Sequence, residues 1–89
     1  MSDETGYNGW KNWETWNAAL WMMNEEDTYQ TARSCAEKCR RFGLPSPYAL
    51  FIGRMERRGD ERNGDGLLWR DSRIARREVS AAMYELIEE

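Results

Sequence analysis

Four of the five tryptophans of this chain fall within residues 10–21, as Trp10, Trp13, Trp16 and Trp21. An indole buries best when its ring is packed and its N–H has a partner. Four of them in one stretch therefore mark either the centre of a small core or a surface made for a partner. Asn12 is a good N-cap, and a helix is predicted from Trp13 to Asn24. Trp10, just before the cap, is placed to pack back on the first turn as a hydrophobic staple. At about 100° per residue, Trp13, Trp16, Ala19, Leu20 and Met23 share one broad face, while Ala18, Trp21 and Met22 point elsewhere. Such a helix is apolar most of the way round. In a chain of 89 residues that favours a central helix, the alternative being a second face that meets a partner.

The remaining pattern is also helical. Glu25-Glu26-Asp27 opens a second helix that ends near Phe42, with Gly43 as its C′ residue. Its predicted buried stripe is Tyr29, Ala32, Ala36, Cys39 and Phe42. Ser46 as N-cap and Pro47 at the first helical position start a third helix, which carries Tyr48, Phe51, Ile52 and Met55 and stops by Gly59. A polar, glycine-rich loop follows, read as a plain flexible turn, and Leu67-Leu68-Trp69 returns to the core. A last helix, capped by Asp71 or Ser72, reaches about Ile87 with Ala75, Val79, Ala82, Met83 and Leu86 as its stripe. No segment alternates at period two and no repeat is visible. The expectation is a mostly α, compact single domain of about four helices around a Trp-rich core, spanning residues 10–89. Residues 1–9 form a disordered lead-in.

Charge is segregated along the chain. Residues 1–32 carry a net −5, residues 33–77 a net +6 and residues 78–89 a net −4. Two charged surfaces are candidates for a partner. The acidic set is Glu25, Glu26, Asp27, Glu85, Glu88 and Glu89. The basic set is Arg54, Arg57, Arg58, Arg70, Arg73, Arg76 and Arg77. Arg70, Arg73, Arg76 and Arg77 crowd the start of the last helix, where cations oppose the dipole at about 0.3–1 kcal/mol each. Pairing with Glu25, Glu26 or Asp27 would offset that cost, and so would an external anion.

Catalysis is not expected. The chain has no His, so the usual base for a Ser or Cys nucleophile is missing. Cys35 and Cys39 read as free, buried, small apolar residues, because an i,i+4 disulfide in a helix is strained. Without His they also lack partners for a zinc site. Glu61-x-Asn63-x-Asp65-Gly66 resembles half of an EF-hand loop, but Glu stands at the first position and Ser72 at the twelfth. No metal and no cofactor is expected. No apolar run reaches the roughly 18 residues that span a bilayer, and no signal segment follows the acidic start. The expected setting is a bacterial cytoplasm.

Gly9-Trp10, Asn12-Trp13-Glu14-Thr15-Trp16-Asn17 and Leu20-Trp21 resemble the N-terminal motif of a family of small bacteriophage and mobile-element proteins. Those proteins carry Asn-Tyr-Glu-Thr-Trp, then a Leu-Trp helix and an acidic turn; here Trp13 stands where Tyr is commoner. The resemblance implies an accessory protein that occupies a host protein surface, of the anti-CRISPR or antirestriction kind. The leading expectation is therefore an inhibitor that binds a host defence complex, such as a CRISPR-Cas effector or nuclease, and blocks nucleic-acid recruitment or nuclease action. The acidic set would imitate phosphates to a basic channel, or the arginines would grip an acidic partner or guide RNA. The alternative is a nucleic-acid-binding accessory or regulatory protein using the arginine face. A third possibility is a homo-oligomer joined through Trp21 and Met22.

Overall fold

The computed structural model describes residues 9–88, so Glu89 and all of the expected lead-in except Gly9 lie outside the described residues. Four helices form: α1 (Trp13–Asn24), α2 (Glu26–Phe42), α3 (Pro47–Arg57) and α4 (Arg76–Glu85). The fold is mostly α and a single domain, as expected. The helix α2 packs on α1, α3 and α4, and α4 packs on α1 and α3. Between α3 and α4, residues 58–75 run without a helix and deliver Leu67, Trp69 and Ile74 to the core. An isolated antiparallel bridge between Arg62 and Leu68 closes a tight loop in this segment.

Local chemistry explains most helix ends. The Asn12 side chain caps α1 by accepting from the Thr15 N–H at 2.9 Å. Ser46 caps α3 by accepting from the Ala49 N–H at 3.1 Å, with Pro47 opening the helix. Gly43 ends α2 with φ 69°, a left-handed conformation that costs glycine little. The start of α4 departs from expectation. Ala75 is its N-cap residue, and neither Asp71 nor Ser72 caps it. Asp71 instead closes its own turn by accepting from the Arg73 N–H at 2.9 Å. The Ala75 N–H donates to Thr15 Oγ1 on α1 at 2.8 Å, so α4 is started by a neighbouring helix.

The core corrects the expected faces. On α1 the buried arc is Thr15, Ala18, Ala19 and Met22. Trp13 is 37 % exposed, and Trp16, Leu20 and Met23 are half-buried. The physical reason is size. The facing stripe of α2 is Thr28, Thr31, Ala32, Cys35, Ala36 and Cys39, all small. Small residues on both helices let the backbones approach closely, and bulky indoles would hold them apart. Phe42, expected in that stripe, is 65 % exposed, and Tyr29 is half-buried. Of the five tryptophans only Trp69 lies fully in the core, so the centre is not rich in tryptophan. Trp69 sits edge-on to Phe51, with centroids 5.0 Å apart, and its indole N–H donates to the Asp60 carbonyl at 2.9 Å. The buried Tyr48 hydroxyl donates to the Trp69 carbonyl. Both cysteines are free and buried.

Candidate functional site

The motif at the start of α1 divides its labour. Its polar residues face the 58–75 segment. The Asn12 amide donates to the Arg73 carbonyl at 2.8 Å. Thr15 holds Ala75, and Glu14 pairs with Arg73 at 3.0 Å. The buried Asn17 accepts from the Asn63 amide and donates to the Asp65 carboxylate, each at 2.7 Å. The Trp21 indole N–H donates to the same Asp65 oxygen at 2.9 Å. The Asn63 side-chain oxygen accepts from the N–H groups of Asp65 and Leu67. The loop expected to be a flexible turn is thus a built one. Of its EF-hand-like set, Asn63 and Asp65 are spent within the protein, and among the described residues no group of three or more metal-ligating side chains gathers. Asp65 is held below its ordinary pKa, first by the Trp21 hydrogen bond and then by Asn17.

Trp10, Trp13 and Trp16 of the motif lie away from that segment, whereas Trp21 faces it. Trp13, Trp16, Leu20 and Met23 line one outward arc of α1. Trp10 is half-buried and shares a shallow groove of about 180 Å³ with Trp16, Leu20 and Met23. A second open groove of about 580 Å³ runs from Gly9, Trp10 and Met23 to Glu78, Ala81, Ala82 and Glu85 of α4. Glu78 accepts from the Lys11 N–H at 2.9 Å and tethers the two sides. Of the expected interface through Trp21 and Met22, only Trp21 keeps some exposure. Met22 is fully buried, and the loop covers Trp21: a Cβ built on Gly64 would stand 2.3 Å from the Trp21 ring.

The acidic set is dispersed. Asp27 pairs with Arg58, and Glu88 pairs with Arg40 at 3.1 Å. Glu25 and Glu26 are exposed at the start of α2, some fourteen residues or about 21 Å along the helix from Arg40. Glu85 lies in the groove beside Trp10, and Glu89 is outside the described residues. Among the described residues these groups do not gather into one phosphate-like surface.

Most of the basic set is also consumed internally. Arg70 makes a two-pronged pair with Glu56 at 2.6 and 2.7 Å. Arg73 precedes α4 and pairs with Asp71 and Glu14. Asp71 is pushed down to about 2 by the side-chain and backbone hydrogen bonds from Arg73. Glu56 is also lowered, first by the Arg70 hydrogen bond, with smaller help from the nearby charges of Arg70 and Arg76. Arg58 binds Asp27, Asp60 and Thr31, and Arg54 donates to Ser34 at 3.0 Å. Glu25 and Glu26 do not pair with the arginines of α4. Arg57, Arg76 and Arg77 make no ion pair among the described residues.

Arg76 and Arg77 line an open groove of about 420 Å³ with Pro45, Ser46, Ser80, Ala81 and Tyr84. The helix α4 is therefore a divide. Glu78 and Glu85, seven residues apart, face the tryptophan side, and Arg77 and Tyr84, also seven apart, face the α2–α3 turn. Sequence reasoning missed Glu78, Tyr84 and the exposed Phe42. The i,i+7 spacing of Glu78 with Glu85 and of Arg77 with Tyr84 is the signal that could have found the first two.

No chemistry of bond making is evident at either groove. Burial raises the pKa of both thiols, which keeps them as poorly nucleophilic thiols. Among the described residues no helix is long and apolar enough to cross a membrane.

A family model matches residues 3–89. The chain belongs to DUF7249, a family of unknown function. The match takes in the whole motif and both grooves, so this DUF7249 member carries them within one family unit. No curated protein and no solved structure matches the chain.

Proposed function

We propose that this DUF7249 protein is a non-catalytic inhibitor of bacteriophage or mobile-element origin. It docks on a host defence complex, a CRISPR effector or a nuclease, and keeps nucleic acid or the nuclease from engaging. One observation carries the reading. The motif's polar residues are used to hold residues 58–75, while Trp10, Trp13 and Trp16 stay out of the core, the last two on an outward arc of α1. Tryptophan is among the residues most enriched where binding energy concentrates. The rim of that surface is acidic, through Glu78 and Glu85. The matching partner surface is an apolar insert flanked by Lys and Arg, which is the chemistry of a nucleic-acid channel. The acidic reading of the sequence thus survives in a smaller form, with Glu85 kept from the original set and Glu78 added.

The test is capture by the tagged full chain from the lysate of a CRISPR-bearing host, with and without nuclease treatment. The expected result is a stoichiometric nucleic-acid-handling protein that survives nuclease. Trp13→Ala and Glu85→Arg should each weaken capture at least about tenfold while leaving the helical circular dichroism intact. Capture that both variants retain, or that nuclease abolishes, overturns the proposal.

A further inference from the structure

We propose that the groove between the α2–α3 turn and α4 binds single-stranded nucleic acid, with phosphates on Arg76 and Arg77 and a base against Tyr84, the strand running on past the turn to Phe42 in the neighbouring groove. This site lies across α4 from the tryptophan surface, and the inference does not rest on the protein-docking reading. Four observations meet here. Arg76 and Arg77 are exposed and make no ion pair, whereas Arg58, Arg70 and Arg73 are neutralised within the protein. Both line one open groove with Tyr84. The guanidinium of Arg40 lies 5.1 Å from the Tyr84 ring centre, and that of Arg41 lies 5.8 Å from the Phe42 ring centre. Phe42 and Leu44 flank the α2–α3 turn outside the groove and are 65 % and 40 % exposed, Phe42 lining a neighbouring groove with Lys38 and Arg41.

Tyr84 beside two cations without ion pairs, with exposed Phe42 past the turn, has a specific use. A strand with unstacked bases offers phosphates to the cations and π-faces to the rings. A duplex keeps its bases stacked and leaves Phe42 and Tyr84 without a role. A run of Asp and Glu would satisfy the arginines but brings no flat ring to stack on Tyr84 or Phe42. Beyond the turn, Lys38 and Arg41 continue the positive edge beside Phe42. Glu37 is the carboxylate there, and it reaches Arg33 at 4.0 Å.

The experiment is fluorescence anisotropy of labelled poly-uridine and poly-thymidine oligonucleotides, and of a duplex, with the full chain over a salt series. Single strands should bind more tightly than the duplex, with affinity that falls steeply as salt rises. Preference for poly-uridine would identify RNA as the ligand, and equal binding would assign the shared phosphate and base chemistry. Arg76→Glu with Arg77→Glu should weaken binding at least about tenfold and flatten the log–log salt slope by roughly one unit or more. Phe42→Ala should weaken it about tenfold with the slope unchanged. If the charge reversal disturbs folding, Arg76→Gln with Arg77→Gln reads the same loss. Absence of binding at low salt overturns the proposal. So does duplex binding equal to single-strand binding, or competition by polyglutamate as effective as that by unlabelled oligonucleotide.

Discussion

Gly64 lies beneath the ring of Trp21 with no room for a methyl group, since an added Cβ would stand 2.3–2.6 Å from three ring carbons. Trp21 cannot move aside cheaply, because its N–H is tied to Asp65, and Asp65 is tied to the buried Asn17. Gly64→Ala is therefore expected to cost about 1–3 kcal/mol of unfolding free energy, the usual scale for overpacking. Chemical denaturation compared with wild type checks this. Unchanged stability would mean that the loop is looser than its hydrogen bonds imply. None of this could be read from the loop alone. Gly-Asp-Gly looks like a turn in any sequence, and its partners Asn17 and Trp21 lie more than forty residues away. The caps Asn12 and Ser46, by contrast, were legible because their bonds span three residues.

At the scale of the element, α1 shows where hydrophobicity misleads. Ranking side chains by apolar character turns the tryptophans inward, whereas packing against the small stripe of α2 selects the Thr15–Ala18–Ala19–Met22 arc. The two criteria make opposite predictions for mutants. Ala18 is fully buried between helices, so Ala18→Leu should destabilise by about 1–3 kcal/mol. Trp13→Ala, on the outer arc, should change stability by about 0.5 kcal/mol or less. Thermal and urea unfolding of the pair decide which arc is the core. The span of every helix but α4 was legible within a residue, because caps and breakers are local signals. The start of α4 was not, because its first N–H is held by Thr15 across sixty residues of chain. The candidate surfaces were half legible for the same reason. The arginines could be named, but their partners Glu14, Glu56 and Asp27 come from other elements and decide which remain free.

Across the whole molecule, the segregated charges of the sequence are largely folded back onto each other. Several carboxylates carry that pairing, and their pH dependence follows. Asp71 at about 2, and Asp65 and Glu56 below their ordinary values, bind protons less readily folded than unfolded. Their stabilisation is present above the ordinary carboxylate pKa of about 4 and is lost as pH falls through the folded values. For Asp71 that window runs from about pH 4 to about pH 2. The melting midpoint should fall across it, and Asp71→Asn should lower stability near neutrality while flattening the decline. A profile for Asp71→Asn as steep as that of wild type would show that Arg73 does not hold this carboxylate in solution.

The burial of Cys35 and Cys39 in one helix that touches all three others has a practical consequence. Neither sulfur is reachable while α1, α3 and α4 stay in place, so a thiol reagent can modify them only when the bundle opens. The pair is a native clock for global opening that needs no added label, and its two sulfurs lie one helical turn apart and should tick together. Anything that seats on the outer grooves and favours the closed bundle will slow that clock by mass action, whether or not it touches the sulfurs. A change in thiol lifetime would therefore register occupancy of either face of α4 in crude extract, before the occupant has been identified.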